Sequence, residues 1–320
     1  MPFPTGIVDA LDPSRLRLLV EVDRRGSISA AAEVCQVSQP SATKHLKALE
    51  GALGEKLVER NGRASRLTDA GVVVVAHATR VLDTLQRLQE ELDALRGAET
   101  GTLALAASTT SGTYVMPAIL QCFAEKHPGV EVDIAIGSSA WVADRVAKRE
   151  FSLGIAGEIE LPDGVRAEPF LEDELVGIAA PGRLELRGRR APIDELARWT
   201  LLVREPGSST RTVADRFLAR SGYRPGNRWE LDSNEAIKRS VQAGLGVGFV
   251  SRLVVADELE RGELESFRIQ GADPMTRSIY LLMPDGRDST PSERAFITTL
   301  GECCAVTVAG CVVDGANGEA

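Results

Sequence analysis

The sequence predicts a multidomain chain: an α-helical winged helix-turn-helix first, a long linker helix after it, and an α/β region over the remainder. Three observations carry this. Residues 31–50, AAEVCQVSQPSATKHLKALE, read as two short helices around a Val-Ser turn. From Val74 to Leu95 apolar side chains recur in a strict 3-4 alternation. From residue 101 onward, β-rich runs alternate with amphipathic ones. A chain of 320 residues is too long for one average domain.

In the N-terminal region a helix is predicted from Ser14 to Arg24, with Leu16, Leu19 and Val20 inward and Gly26 ending it. Ser27 is placed to cap a second helix running to about Cys35, and Ser38 to cap a third, with Pro40 in its first turn, where no intrahelical N–H is needed. In that third helix Ala42, Leu46, Leu49 and Leu53 form an inward stripe at helical spacing. Its other face shows Gln39, Ser41, Thr43, Lys44 and Lys47, an amide, hydroxyls and ammonium groups of the kind that read base edges and phosphates in a major groove. A solvated helix face is the plainer alternative; the turn, the caps and the polar opening together favour DNA. Asn61-Gly62 then marks a hairpin between Leu57–Arg60 and Arg66–Thr68, a wing lined by Arg60, Arg63 and Arg66 that suits phosphate contacts.

The charge is uneven. The whole chain carries 37 basic against 46 acidic side chains, a net −9, yet residues 13–66 hold ten basic and six acidic ones. Phosphates sense charge within a Debye length of about 8 Å, so global acidity does not exclude DNA. It does mark the remainder as something other than a DNA surface.

Next, Thr68 is predicted to cap a helix reaching Arg96, in which Val74, Ala78, Val81, Leu85, Leu88, Leu92 and Leu95 take the a and d positions of a coiled coil. One buried helix packed on its own domain is the alternative. A dimer would double the local positive charge and require two half-sites.

Beyond residue 101, strands are read at TLALAAS, VEVDIAIG, LGIAG, ELVGIAAPG, TLLVRE, NRWELDS and LGVGFVS, with helices between them. This rhythm predicts parallel sheets, which bind ligands beyond their strand ends, at helix N-termini. Ser108, Thr109 and Thr110 follow the first strand, Ser138 and Ser139 the second, and Ser208, Ser209, Thr210 and Arg211 follow TLLVRE, while Ser233 follows RWEL. Any one such segment is ordinarily a helix cap. Four at equivalent strand ends predict a pocket for a small anion, with the Arg211 guanidinium as clamp.

An enzyme is not expected: there is no G-x-S-x-G, no Walker loop, and His45, His77 and His127 are scattered. Gly244-Leu245-Gly246-Val247-Gly248 precedes a strand instead of following one, against a dinucleotide site. Cys35, Cys122, Cys303, Cys304 and Cys311 show no CxxC spacing, so neither a metal nor any other cofactor is predicted. A thiol switch would need two cysteines around 180–280, and that stretch has none. No basic flank precedes an apolar core at the N-terminus, and runs such as Val72–Ala76 are too short to span a bilayer. The expected compartment is the cytoplasm, with no membrane partner.

The run from Gly26 to Gly71, with SxSAAA, VSQPSATKHLKALEGALGEKLVER and RLTDAG, closely resembles the DNA-binding domain of LysR-type transcriptional regulators. Ile28, Cys35 and Val58 depart from the usual Phe, Leu and Phe. The resemblance implies DNA contacts at Ser38, Gln39, Pro40, Ser41, Thr43 and Lys44, and a linker helix that pairs two subunits. EDELVGIAAPG, REPGSSTR and AIKRSVQAGLGVGFVS resemble the effector-binding domain of the same family. That implies two subdomains of periplasmic-binding-protein type joined by two crossover strands. REPGSSTR looks most like the branch that controls carbon-fixation and sulfur-assimilation operons, whose effectors are anionic metabolites.

The resulting layout is a DNA-binding domain at 13–67, a linker helix at 68–97, an effector domain at 101–305 and a tail at 306–320. Subdomain I takes about 101–177 and 279–305, and subdomain II about 178–278. The function expected is sequence-specific transcriptional regulation controlled by a small anionic metabolite. The alternative is a stand-alone binding protein or enzyme with a degenerate DNA domain. Expected partners are double-stranded DNA with an interrupted palindromic operator, the effector, a second copy of the chain with a tetramer as the larger assembly, and RNA polymerase.

Overall fold

A computed structural model of the chain describes residues 11–61, 64–95, 100–223 and 226–312. The chain divides into two compact units, Met1–Gly97 and Ala98–Ala320.

In the first unit, α1 (Pro13–Arg25) starts at Asp12, whose carboxylate accepts the Ser14 N–H at 2.8 Å, and stops at Gly26 in the left-handed region. Ser27 caps α2 (Ile28–Val34) and Ser38 caps α3 (Gln39–Leu53), as predicted. Between them the chain reverses through Gln36 at φ 55°, a conformation that L side chains adopt rarely. Ala42, Leu46 and Leu49 of α3 pack against Leu16, Leu19 and Val20 of α1, and Ile28, Cys35 and Val58 join the same core. Those three departures from the family pattern are therefore filled positions.

The wing is β1 (Val58–Asn61) paired antiparallel with β2 (Ala64–Leu67). Asn61 lies within the strand, opposite Ala64. The Asn61 half of the expected Asn61-Gly62 turn is thus strand, and Gly62 and Arg63 lie outside the described residues. The Glu50 carboxylate at the end of α3 accepts the backbone N–H groups of Leu57 at 2.9 Å and Val58 at 3.3 Å. Thr68 caps α4 (Asp69–Leu95) by accepting the Gly71 N–H at 3.0 Å, and its hydroxyl donates to the Lys56 carbonyl at 2.6 Å. The apolar row along α4 splits in two. Val74 and Ala78 pack into the head core, whereas Val81, Leu85, Leu88 and Leu92 are 41–52% exposed. The Leu95 side chain and Arg96 lie outside the described residues.

The second unit opens with β3 (Gly101–Ser108), a π-helical turn at Ser111–Val115, α5 (Met116–Lys126), β4 (Val130–Gly137), α6 (Ser139–Ala147) and β5 (Leu153–Gly157). The long strand β6 (Val165–Ala179) then leaves this first lobe for the second, which holds β7 (Arg190–Ala191), α7 (Ile193–Leu196), β8 (Thr200–Arg204), α8 (Ser209–Arg220), β9 (Asn227–Leu231), α9 (Asn234–Gln242), β10 (Val247–Ser251), α10 (Ala256–Glu260) and β11 (Glu265–Ile269). Strand β12 (Met275–Pro284) returns to the first lobe, where α11 (Pro291–Val312) closes the chain.

Strands β3, β4 and β5 are mutually parallel, as are β8, β9 and β10. The crossover strands are the exception. β6 and β12 pair antiparallel from Met275↔Leu175 to Pro284↔Val165 and run antiparallel to β10 and β5, so a single path links both lobes. The βαβα rhythm alone does not reveal this, because strand direction at a crossover is set by long-range pairing. Leu105, Phe123, Ile155 and Phe296 centre one core, and Leu201, Leu218, Phe249 and Phe267 the other. The expected tail at 306 is helical as far as Val312: no proline interrupts the run, and each added residue extends the hydrogen-bond ladder. Residues 313–320 lie outside the described ones.

Gly71 sits where α4 passes under the wing, and a Cβ there would lie 2.1 Å from the Leu57 carbonyl oxygen. Alanine would gain about 1 kcal/mol of helix propensity, but the backbone clash costs more, about 2–3 kcal/mol. Gly71→Ala should therefore lower the urea midpoint of the head, followed by circular dichroism. A midpoint at or above wild type would show that the wing yields freely.

Candidate functional site

Eight of the ten predicted effector residues line one small cavity: Ser108, Thr109, Thr110, Ser138, Ser139, Ser208, Ser209 and Thr210. They come together because three helical segments begin there. Thr110 leads into the π-helical turn, Ser138 caps α6 by accepting the Trp141 N–H at 3.1 Å, and Ser208 leads into α8. Each start leaves backbone N–H groups without intrahelical partners, and the helix dipole adds partial positive charge.

Arg211 and Ser233, expected in the same pocket, do not line it. Arg211 is turned toward β9 by Glu230 at 2.5 Å and Asp215 at 3.5 Å, and donates to the Arg204 carbonyl at 3.0 Å. Ser233 is used as the cap of α9, where it accepts the Ala236 N–H at 3.4 Å. The cations at the cavity are two others, Arg204 and Arg277, both with side chains 3% exposed. Arg204 ends β8 in the same REPGSSTR stretch, so an arginine closing a buried strand was a readable signal. Arg277 lies midway along β12, and nothing local in the sequence marks it.

Both guanidiniums are held from behind. Arg204 donates to Glu205 at 2.7 and 2.9 Å, to Asn234, and across the lobes to the Thr109 hydroxyl at 3.4 Å. Arg277 donates to Asp173 through Nε at 2.9 Å and Nη2 at 2.8 Å, and through Nη1 to the Thr210 hydroxyl at 3.0 Å. Asp173 also accepts from Ser251 at 2.6 Å. Each cation is neutralised by a carboxylate, so the net pull on an anion comes from the helix starts, with the arginines supplying oriented donors. Further bonds close the lobes: Ala140 N–H to the Gly207 carbonyl at 3.0 Å, Asn234 to the Thr110 hydroxyl at 3.1 Å, and Arg216 to Glu158 at 2.7 Å.

One atom in this network is left over. The Ser209 hydroxyl is buried without a hydrogen-bond partner. A Cβ at Gly157 would come within 2.5 Å of it and 3.2 Å of Arg277 Nη1. Glycine there keeps the space open. A buried polar group without a partner costs about 1–3 kcal/mol, a cost that an oxygen-bearing ligand would remove.

In the head, Ser38, Gln39, Pro40, Lys44 and Lys47 are exposed along one side of α3, with Ser41 and Thr43 half-buried between them. Thr43 spends its hydroxyl proton on the Gln39 carbonyl at 3.0 Å, leaving its oxygen as an acceptor. Arg66 is exposed on β2; Arg63 and the Arg60 side chain lie outside the described residues.

A winged helix-turn-helix joined to a two-lobed ligand-binding domain defines a ligand-responsive DNA-binding regulator. Residues 13–72 match the model of the bacterial regulatory helix-turn-helix protein, lysR family, and residues 96–305 that of the LysR substrate binding domain. The chain belongs to the LysR family of transcriptional regulators and is a regulator, not an enzyme. It is 31% identical over 286 residues to a RuBisCO operon transcriptional regulator from Acidithiobacillus ferrooxidans, covering 89% of this chain and 92% of that one. This agrees with the carbon-fixation branch suggested by REPGSSTR. A full-length OxyR from Pseudomonas aeruginosa shares the fold, with a TM-score of 0.73 at 23% identity over 92% of this chain and 94% of that one. The regulatory domain of Synechocystis CcmR, solved in complex with 2-PG, matches with a TM-score of 0.59 at 30% identity, covering 63% of this chain and 97% of that one.

The Asp173–Arg277 pair generates a test. Asp173→Leu should destabilise the effector domain by about 3–5 kcal/mol, because it strands a buried cation, and the Asp173→Leu/Arg277→Met double variant should lose less than that single change. Chemical unfolding of the wild type, Asp173→Leu, Arg277→Met and the double variant measures it. Strictly additive losses would mean that the pair is not coupled.

Proposed function

We propose that this protein is a one-component regulator of a carbon-fixation operon, whose effector is a small anion carrying a phosphate or carboxylate, bound at the cavity between the lobes. The observation that carries this reading is the convergence of three helix starts, two buried arginines and the partnerless Ser209 hydroxyl on one cavity. The 2-PG of the CcmR domain is a ligand of this type. Ser108, Thr109, Thr110, Ser138, Ser139, Ser208, Ser209 and Thr210 supply hydroxyls and N–H groups, and Arg204 and Arg277 replace Arg211 as the guanidiniums.

The head reads an operator through Gln39, Ser41, Thr43 and Lys44, with Ser38, Pro40 and Lys47 along the same face and Arg60, Arg63 and Arg66 holding phosphates. The exposed row Val81, Leu85, Leu88 and Leu92 supports pairing of two chains along α4, which calls for two half-sites in an interrupted palindrome. A tetramer, contact with RNA polymerase and a place in the cytoplasm extend the same reading. The match of the head to its family model counts against a degenerate DNA domain.

Division of labour on DNA is testable by operator titration at several salt concentrations. Gln39→Ala should lose about 1–3 kcal/mol on the specific site and relax base preference, while Arg66→Ala should weaken all sequences and reduce the salt slope by about one unit. Identical behaviour of the two variants would refute it.

The effector reading is tested by thermal shift with 2-phosphoglycolate, phosphorylated sugars and dicarboxylates. A bound effector at about 100 times its Kd adds about 2.7 kcal/mol of stability. Ser209→Ala should weaken that response, and the Asp173→Leu/Arg277→Met variant, which leaves no buried charge without its partner, should abolish it while binding to operator without effector persists. A full response from both variants would place the effector elsewhere.

A further inference from the structure

A hydroxyl can donate one proton or accept one, so the role left to each hydroxyl at the cavity is set by the partner behind it. Behind Thr110 stands Asn234, the first residue of α9, which is buried and does not itself line the cavity. Its amide oxygen accepts from the Arg204 guanidinium. A guanidinium has donors only, so the amide NH2 must face the other way. There it donates to the Thr110 hydroxyl at 3.1 Å. Thr110 is thereby held as an acceptor toward the protein, and its own proton is left for whatever enters the cavity.

The same polarity recurs around the wall. Thr210 accepts from Arg277 Nη1 at 3.0 Å, and Ser138 from the Trp141 N–H at 3.1 Å. Neither partner can reverse its role, because a guanidinium and a main-chain N–H have no acceptor to offer. Among the described residues, none accepts the proton of Thr110, Thr210 or Ser138. Ser209 adds a buried hydroxyl with no partner. Thr109 is the exception, its proton spent on the Gly137 carbonyl at 3.2 Å. The charged groups are Arg204 and Arg277 at the wall, with Glu205 and Asp173 bound to them from behind at 2.7 and 2.8 Å. Among the described residues, no carboxylate or imidazole lines the cavity. The wall offers protons and lacks a strong acceptor.

We propose that the cavity selects the fully ionised, acceptor-only form of an oxyanion, and that Asn234 is the positioning residue that sets this polarity at Thr110. The inference rests on the effector reading above and narrows it. A phosphate monoester carries one P–OH as the monoanion and none as the dianion, the second proton leaving near pH ~6. The dianion meets the wall with acceptors alone. The monoanion brings a donor to a wall of donors, and a buried donor without an acceptor is costly. Sulfate, which carries no proton over the same range, meets no such barrier. Asn234→Asp keeps the side-chain shape and the acceptor for Arg204 but removes the donor. The Thr110 proton then turns to the new carboxylate, and its oxygen becomes an acceptor toward the ligand.

Isothermal titration calorimetry of the full-length protein with 2-phosphoglycolate and with sulfate, from about pH 5 to about pH 8, tests this. The wild type should bind 2-phosphoglycolate about tenfold more weakly at about pH 5 than at about pH 7, following the loss of the dianion, while its sulfate affinity stays level. Asn234→Asp places an acid at a helix start, where it is well tolerated. That variant should bind 2-phosphoglycolate more weakly at neutral pH and lose most of the pH dependence. Equal 2-phosphoglycolate affinity in acid and at neutrality would overturn the proposal while leaving the effector site standing. A parallel fall for sulfate would overturn it too, since a group of the protein would then be titrating. A wild-type pH profile in Asn234→Asp would remove Asn234 from the role given to it. Absence of binding by both anions at every pH would instead sink the effector reading, and this inference with it.

Discussion

The ion pair between Asp173 and Arg277 is the contact on which the effector domain depends. The two residues are direct partners in the β6–β12 ladder, where the chain passes from one lobe to the other. Both are almost fully buried, so neither charge is sustainable alone. The pair therefore fixes how the crossover strands meet, and it aims the remaining edge of the guanidinium at Thr210 and the cavity. From there, the position of the α8 start and the spacing between lobes follow. A ligand that engages Arg277 acts on the same side chain that sets the hinge, which gives a direct physical route from occupancy to lobe geometry.

A second constraint shapes the head: every backbone donor at a helix or strand end needs a partner. Glu50 meets it for the start of the wing, and Thr68 for the start of α4. These two side chains hold the wing beside α3 without a large core. The result is a small basic surface on an acidic protein, with its positive charge gathered on the residues that face outward.

The long helix shows how one periodic pattern can serve two purposes. Its first turns stabilise the head, burying Ala78 beside Leu16 and Leu19. The later turns leave four large apolar side chains in water, and each is worth about 1.5–3 kcal/mol when fully buried. A helix of this kind gains stability from any apolar surface that covers the row.

Much of this was determined by the sequence alone. Capping serines, the Pro40 position, the 3-4 apolar alternation and the hydroxyl-rich strand ends are local features, and each acts through contacts within a few residues. They placed the helices of the head and the start of α4, and they named eight residues that the fold gathers around one cavity. Tertiary structure decided what depends on distant pairing. Arg277 reaches the cavity only because β12 lies against β6, about a hundred residues away in the chain. Arg211 leaves it because Glu230, on a neighbouring strand, competes for its guanidinium. Local sequence sets which groups are available, whereas long-range packing sets which of them face one another, since only the folded chain brings remote charges within bonding reach.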